Sequence, residues 1–369
     1  MGAGRWDLFC RVIDNYGDAG VCWRLARELA AEHAIDVTLW IDHLATLQRL
    51  EPSIDPLRDA QMAAQVTVRR LDDDASPVAL PDMVVEGFGC GLPPRYVEAM
   101  AESARPPHWI NLEYLSAEPW VDTAHGLASP HPRLPLTRHF WFPGFTPDTG
   151  GLIREAGLLD ARDAWQARTA KHADALRIVL FCYANRALPA LFNAWAEGDE
   201  PIACVVPEGV ATAALDCWLQ GDVPHAGQRL VRGRLALEVL AFTPQDAFDR
   251  LLWSADVNFV RGEDSFVRAQ WAARALVWQP YPQAQDAHRL KLDAFLTRYA
   301  QGLAAVPRQA LYAFWQSFSA EDGAAAASAW PAFRAAIGAF EAHGRRWSGT
   351  LAALPELGAG MVYFHRSRL

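Results

Sequence analysis

Leu8-Phe9-Cys10-Arg11-Val12-Ile13-Asp14-Asn15-Tyr16-Gly17-Asp18-Ala19-Gly20-Val21-Cys22-Trp23-Arg24-Leu25-Ala26 reads as a strand, a turn and a helix. Residues 8–13 form an apolar run of strand length, and from Val21 to His33 the apolar residues recur at helical spacing. In an open α/β sheet the ligand lies outside the carboxyl ends of the strands, so a turn at this place faces a crevice. Asp14 and Asp18 are therefore candidate acid–base groups, and Asn15, Tyr16, Gly17 and Gly20 the loop around them. Aspartates at such a position also serve as helix caps, and the stretch alone does not choose between the two roles.

The alternation continues outward from this stretch. Residues 36–41, 66–71, 83–88 and 108–112 read as strands, with helices over 44–50 and 95–104 between them. Strands alternating with helices predict a parallel, doubly wound sheet. From 124 to 151 prolines, glycines and aromatics mix without a period, as in a loop over a site or between domains. A polar helix is expected over 152–174. The pattern then restarts, with strands over 176–183, 202–206, 235–240, 255–260 and 275–279. We expect an N-terminal domain over 1–172, a C-terminal domain over 173–347, and a helical tail, about 348–369, packed back on the first.

Composition limits the function classes. With 369 residues, 51% of them hydrophobic, the chain exceeds what one core usually holds. No apolar run reaches the length of a membrane span, and the first twenty residues lack the pattern of a secretory leader, so a cytoplasmic protein without membrane contact is expected. A net charge of −9 argues against nucleic acid as a partner. The six cysteines show no ligand spacing and read as reduced core residues.

A second strand–turn–helix, Asn258-Phe259-Val260-Arg261-Gly262-Glu263-Asp264-Ser265, carries a different chemistry. A helix N-terminus receives phosphate through its backbone N–H groups and dipole. Arg261 adds charge, Gly262 lets the backbone approach, and Ser265 offers a hydroxyl. Neither the GxxxxGK[ST] nor the GxGxxG spacing is present, which argues against a P-loop or nicotinamide enzyme. Asp264 or Ser265 also reads as a simple N-cap. Upstream, Phe242, Gln245 and Phe248 follow the 235–240 strand, where an aromatic face can stack on a base. A base, a diphosphate at a helix end and a carboxylate opposite make a nucleotide-sugar transferase site.

Both motifs resemble those of the bacterial protein-arginine rhamnosyltransferases that modify translation elongation factor P. The resemblance extends through Asn111-Leu112-Glu113-Tyr114-Leu115-Ser116-Ala117-Glu118, Phe181-Cys182-Tyr183 and Trp278-Gln279-Pro280-Tyr281-Pro282-Gln283. It implies a GT-B fold, with two Rossmann-like domains facing across a cleft. It also implies dTDP-β-L-rhamnose as donor, an arginine side chain of elongation factor P as acceptor, and inversion at the anomeric carbon. Carried over by motif, Asp18 is the base and Asp14 orients the guanidinium. Phe181, Tyr183, Phe242, Phe248, Arg261, Glu263, Asp264 and Ser265 hold the nucleotide, with Gln245 and Gln283 beside them. Two departures stand out: Ala184, where the family more often has an acidic residue, and Ala19 in place of isoleucine.

Glu113 and Glu118 follow the 108–112 strand, and line the acceptor rim if that strand lies beside the first; as isolated carboxylates they are ordinary solvated surface. No cofactor is expected, and no aspartate-rich metal motif adjoins the phosphate loop. Two other readings fit the same motifs, a nucleotide-sugar epimerase of similar fold and a non-catalytic binding protein.

Overall fold

The computed structural model describes all residues except 1–3, 15, 78, 170–173, 222, 283–286 and 369. Asn15 and Gln283 therefore lie outside the described residues, as does the expected boundary at 172. The chain divides into two compact units, Met1–Ala156 with Leu351–Leu369, and Gly157–Thr350.

In the first unit the elements run β1 (Arg5–Cys10), α1 (Tyr16–His33), β2 (Asp36–Ile41), α2 (Leu44–Leu50), β3 (Ala60–Ala63) and β4 (Val66–Arg70). Then follow β5 (Met83–Gly87), α3 (Pro94–Glu102), β6 (His108–Leu112), α4 (Val121–Ala124), β7 (Ala128–Pro130) and β8 (Thr137–Trp141). The sheet order is β3-β4-β2-β1-β5-β6-β8-β7. Its six inner strands are parallel, and each edge is closed by an antiparallel strand. β5 is buried throughout, as a parallel strand covered on both faces must be. Phe9, Trp40 and Tyr96 pack in the core under the sheet, Phe9 and Trp40 stacked at 5.9 Å.

The second unit opens with α5 (Leu158–Arg168), which falls here and not in the first half; the expected 152–174 helix is shorter at both ends. It continues with β9 (Leu176–Leu180), α6 (Leu188–Glu197), β10 (Ile202–Pro207), α7 (Thr212–Leu219), β11 (Arg229–Arg232) and β12 (Leu235–Leu240). Next come α8 (Gln245–Ser254), β13 (Val257–Arg261), α9 (Asp264–Ala272), β14 (Ala275–Gln279), α10 (Ala287–Tyr299), α11 (Ala305–Ser319), α12 (Gly323–Ala335) and α13 (Ile337–Ala352). The order β11-β12-β10-β9-β13-β14 is parallel except at the β11 edge.

The last helix, α14 (Leu357–Arg366), belongs to the first unit. Leu152 bridges Glu356, and at Gly151 a Cβ would sit 1.9 Å from the Pro355 carbonyl oxygen, so only glycine admits the returning chain. Glu356 caps α14, accepting from the N–H groups of Gly358 and Ala359 at 3.0 and 2.8 Å.

Three expectations change. The 124–151 stretch is not structureless, since β7 and β8 lie in it; short elements without a period escape a pattern search. The first strand ends at Cys10, not Ile13, and α1 begins at Tyr16, five residues before the helical period becomes visible. Cys217 is exposed and Cys90 partly so, whereas Cys10, Cys22, Cys182 and Cys204 are buried free thiols.

Candidate active site

In the first unit the candidate residues sit at the end of β1 and the first turn of α1. Asp18, the third residue of α1, is 3% exposed. Its Oδ2 accepts from the backbone N–H groups of Ile13 and Asp14, both at 2.8 Å. This is the reach-back of a carboxylate at the third helical position, which satisfies donors before the helix. Both roles left open by the sequence thus coexist in one side chain: one oxygen orders the turn, and Oδ1 faces the Tyr114 hydroxyl at 3.5 Å. A carboxylate held this way has fixed direction and little freedom to lose on meeting a cation. Gly17 closes the turn, its N–H donating to the Asp14 carbonyl at 2.6 Å, and a Cβ there would come 2.7 Å from Asp14 Oδ2. Tyr16 and Asp14 are half-buried, Gly20 is buried, and Ile13 stands 67% exposed beside them.

The loop after β6 joins this turn although β6 is not the neighbour of β1; β5 lies between them, so the condition set for Glu113 and Glu118 is not met. Tyr114 spans the gap, its ring stacked at 4.6 Å on Phe88, which takes a left-handed backbone (φ 57°) just past β5. Such a conformation is uncommon for an aromatic residue and collects at functional sites. Glu113 accepts from Asn111 Nδ2 at 2.5 Å, and Glu118 from Ser116 Oγ at 2.9 Å, so both carboxylates are held by their own loop. Tyr114 and Phe88 were missed as site residues; the signal available was their place directly after strands of a parallel sheet.

Beneath the turn Cys10 is buried, and its bond with the Cys22 thiol, then desolvation, hold its pKa well above the usual thiol value. Cys10 therefore stays a packing group, not a nucleophile.

The second unit gathers its own set of candidate residues around Arg261, at the end of β13. Its guanidinium carbon lies 4.6 Å from the centre of the Phe181 ring and 4.8 Å from that of Tyr183, a cation–π platform from the loop after β9. Tyr281 meets Tyr183 edge-on at 5.6 Å, and Phe248 meets Phe181 at 5.2 Å. Phe181 and Tyr183 thus clamp the arginine. Phe242 is half-buried in the loop between β12 and α8, and Gln245 opens α8. Gln245 Nε2 donates to Asp264 Oδ2 at 3.4 Å. A buried Arg268–Asp249 pair, with bonds of 2.9 and 2.5 Å, locks α8 to α9.

The N-cap of α9 is Glu263, without a side-chain capping bond, so neither Asp264 nor Ser265 plays that part. The Ser265 hydroxyl donates to the Arg261 carbonyl at 2.5 Å and accepts from its N–H at 3.2 Å, which ties the turn to itself instead of offering the hydroxyl outward. Gly262 is likewise engaged on both sides, its N–H donating to the Gln279 carbonyl at 3.2 Å and its carbonyl accepting from Trp278 Nε1 at 2.8 Å. What the loop presents to an anion is the Arg261 charge and the positive end of α9.

Among the described residues, metal-ligating atoms gather in one group, Glu28, His33 and Glu356, where the later part of α1 meets the start of α14. Neither the Asp18 turn nor the Arg261 loop is in it.

Over residues 6–366 the sequence matches the family described as elongation-factor P (EF-P) rhamnosyltransferase EarP. It is 44% identical to a protein-arginine rhamnosyltransferase of Pseudomonas putida over 99% of either chain, and 42% identical to that of Pseudomonas aeruginosa over 98%. A solved structure described as the structural basis for EarP-mediated arginine glycosylation of translation elongation factor EF-P matches with a TM-score of 0.71 at 34% identity, covering 99% of this chain and 100% of that one. MurG of Acinetobacter baumannii (TM-score 0.51, 12% identical) and the calicheamicin glycosyltransferase CalG4 (0.54, 13%) cover the whole chain and share the GT-B fold.

Proposed function

The chain belongs to the EarP family and is a protein-arginine rhamnosyltransferase of GT-B fold; from that premise we propose that it moves L-rhamnose from dTDP-β-L-rhamnose to one arginine of translation elongation factor P, with inversion. The observation that carries this reading is the Asp18 carboxylate, buried and aimed by two backbone N–H groups at a strand end. The first unit receives the acceptor guanidinium at Asp18 and Asp14, and the second binds the nucleotide diphosphate at Arg261.

Proton bookkeeping sets the order of events. An arginine pKa of about 12.5 or more against about 3.9 for an aspartate makes full proton transfer before attack cost roughly 12 kcal/mol. Asp18 and Asp14 therefore hold the guanidinium by charge-assisted hydrogen bonds. The proton leaves to Asp18 as the new C–N bond makes that nitrogen acidic. Inversion requires attack on the face opposite the departing dTDP, which the fixed direction of the carboxylate favours. Arg261 and the positive end of α9 take up charge on the leaving diphosphate, so this chemistry calls for no metal ion and no cofactor. An elongation factor as acceptor places the reaction in the cytoplasm; no described helix is long and apolar enough to cross a membrane.

The test is intact-mass analysis of folded elongation factor P incubated with the chain and dTDP-β-L-rhamnose. One added deoxyhexose on one arginine, with release of dTDP, is expected. Nucleotide turnover without a modified protein would point to an epimerase, and no turnover at all to a binding protein.

A further inference from the structure

Gln279, the last residue of β14, is 7% exposed and belongs to no role assigned so far. In register it stands opposite Arg261 on β13, and β13 lies between β14 and β9. Its side chain nevertheless reaches past the end of β13 to the loop after β9. There Oε1 accepts from the Tyr183 N–H at 2.9 Å, and Nε2 donates to the Ala184 carbonyl at 3.5 Å. Its own carbonyl meanwhile accepts from the Gly262 N–H at 3.2 Å. One buried amide thus joins three strand ends: the aromatic loop after β9, the turn after β13, and β14 itself. The contacts at 183 and 184 are to backbone, so alanine at 184 in place of an acidic residue leaves them intact.

We propose that Gln279 is a positioning residue for the donor site, holding the Tyr183 loop at the height where its ring and that of Phe181 carry the Arg261 guanidinium. The argument is one of satisfiability. A backbone N–H shielded from water needs a partner, and the half-buried Tyr183 N–H finds one in the buried Gln279 Oε1. Without that acceptor the loop must turn the N–H toward water, and the Tyr183 ring turns with it. Arg261 then loses one of the two faces, at 4.8 Å, that restrict its rotamers. An unrestricted arginine still carries its charge but no longer presents it in one place, and affinity for a diphosphate falls by the ordering it must supply on binding. The inference rests on the proposed donor site at Arg261.

A double-mutant cycle read by titration calorimetry with dTDP alone tests it. Gln279→Met keeps volume but removes the acceptor, and is expected to weaken dTDP about tenfold and to raise the donor KM while the acceptor KM stays within about twofold. In the Arg261→Ala background the same change is expected to cost almost nothing more, because the group it positions is gone. Independent, multiplying penalties, or wild-type dTDP affinity in Gln279→Met, overturn the positioning role while leaving the donor site standing. Wild-type affinity in Arg261→Ala overturns the donor site and this inference together. Should Gln279→Met fail to fold, Gln279→Asn, which stays polar but is one methylene too short to reach Tyr183, is measured in the same cycle with the same expectations.

Discussion

The Asp14–Asp18 turn and the Arg261–Ser265 turn occupy the same topological place, after an inner strand of a parallel sheet and before a helix, yet they hold opposite charges by opposite means. At the first, backbone amides grip a carboxylate: two N–H groups at 2.8 Å point at Asp18 Oδ2. At the second, aromatic faces at 4.6 and 4.8 Å grip a guanidinium. An anion needs donors, which a strand end offers from its own backbone. A cation on a planar group needs either acceptors, which would compete with an incoming phosphate, or π faces, which would not. One fold element, used twice, thus fixes a carboxylate in one unit and a guanidinium in the other, the two that the proposed function uses as acceptor and donor poles.

The sharpest way to break this comparison is Asp18→Asn. Asparagine keeps an oxygen for the Ile13 and Asp14 N–H groups but loses the charge, so the turn should persist while turnover falls at least about 10²-fold, the scale of a positioned acid–base group. Steady-state kinetics beside dTDP titration would show the split, and near-normal turnover would remove Asp18 from the chemistry. Asp14→Asn should act more through acceptor KM.

Next in size is Arg261→Ala. Loss of a charge-assisted contact, about 1.5–3 kcal/mol, should weaken dTDP by roughly 10- to 100-fold while leaving the affinity for elongation factor P unchanged. Equal effects on both ligands would mean that the two poles are not separate.

Glu113→Gln should be smaller still. With β5 between β6 and β1 and the Glu113 carboxylate held by Asn111, the change is expected to move acceptor KM by less than about twofold, whereas a few-fold rise at low ionic strength that disappears at high salt would reveal a rim charge that speeds association. A salt-independent effect would assign Glu113 a packing role through Asn111 instead.

A fourth variant lies on the same helix as Asp18 but away from the turn. Glu28 is buried; desolvation first, then the charge of Glu356 and a hydrogen bond with it, then Glu32 and Glu155, push its pKa up to about 10. His33 Nε2 approaches Glu28 Oε1 at 2.9 Å. The sign follows directly. The folded chain keeps this proton where the unfolded chain, titrating near 4.5, has released it, so the stability it brings is fully present below that pH. As pH rises toward the folded value, that stability is lost at no more than about 1.4 kcal/mol per pH unit. Glu28→Gln should therefore melt increasingly above the wild type between neutral and alkaline pH, with turnover near neutrality unchanged. Parallel melting curves across that range would show that the pair holds no proton.

Much of this was legible in residue order. Burial on both faces makes parallel strands continuous apolar runs, and one buried stripe gives helices their period; both signals are local, and the restart at 176 marks the first strand of the second sheet. Charge type at each turn was equally local, so Asp14, Asp18 and Arg261 could be picked out before any coordinate. What only the tertiary structure decided was pairing across distance. β5 lies between β1 and β6, Tyr114 reaches Asp18 across 96 positions, and Gln279 reaches Tyr183 across 96 more, past a whole strand. Ser265 reads as a phosphate donor in sequence, yet folds its hydroxyl back to the Arg261 carbonyl. A side chain's type is written in its codon position, but its partner is chosen by whichever buried donor or acceptor the sheet order brings within hydrogen-bond reach, and leaving that group unpaired would cost about 1–3 kcal/mol.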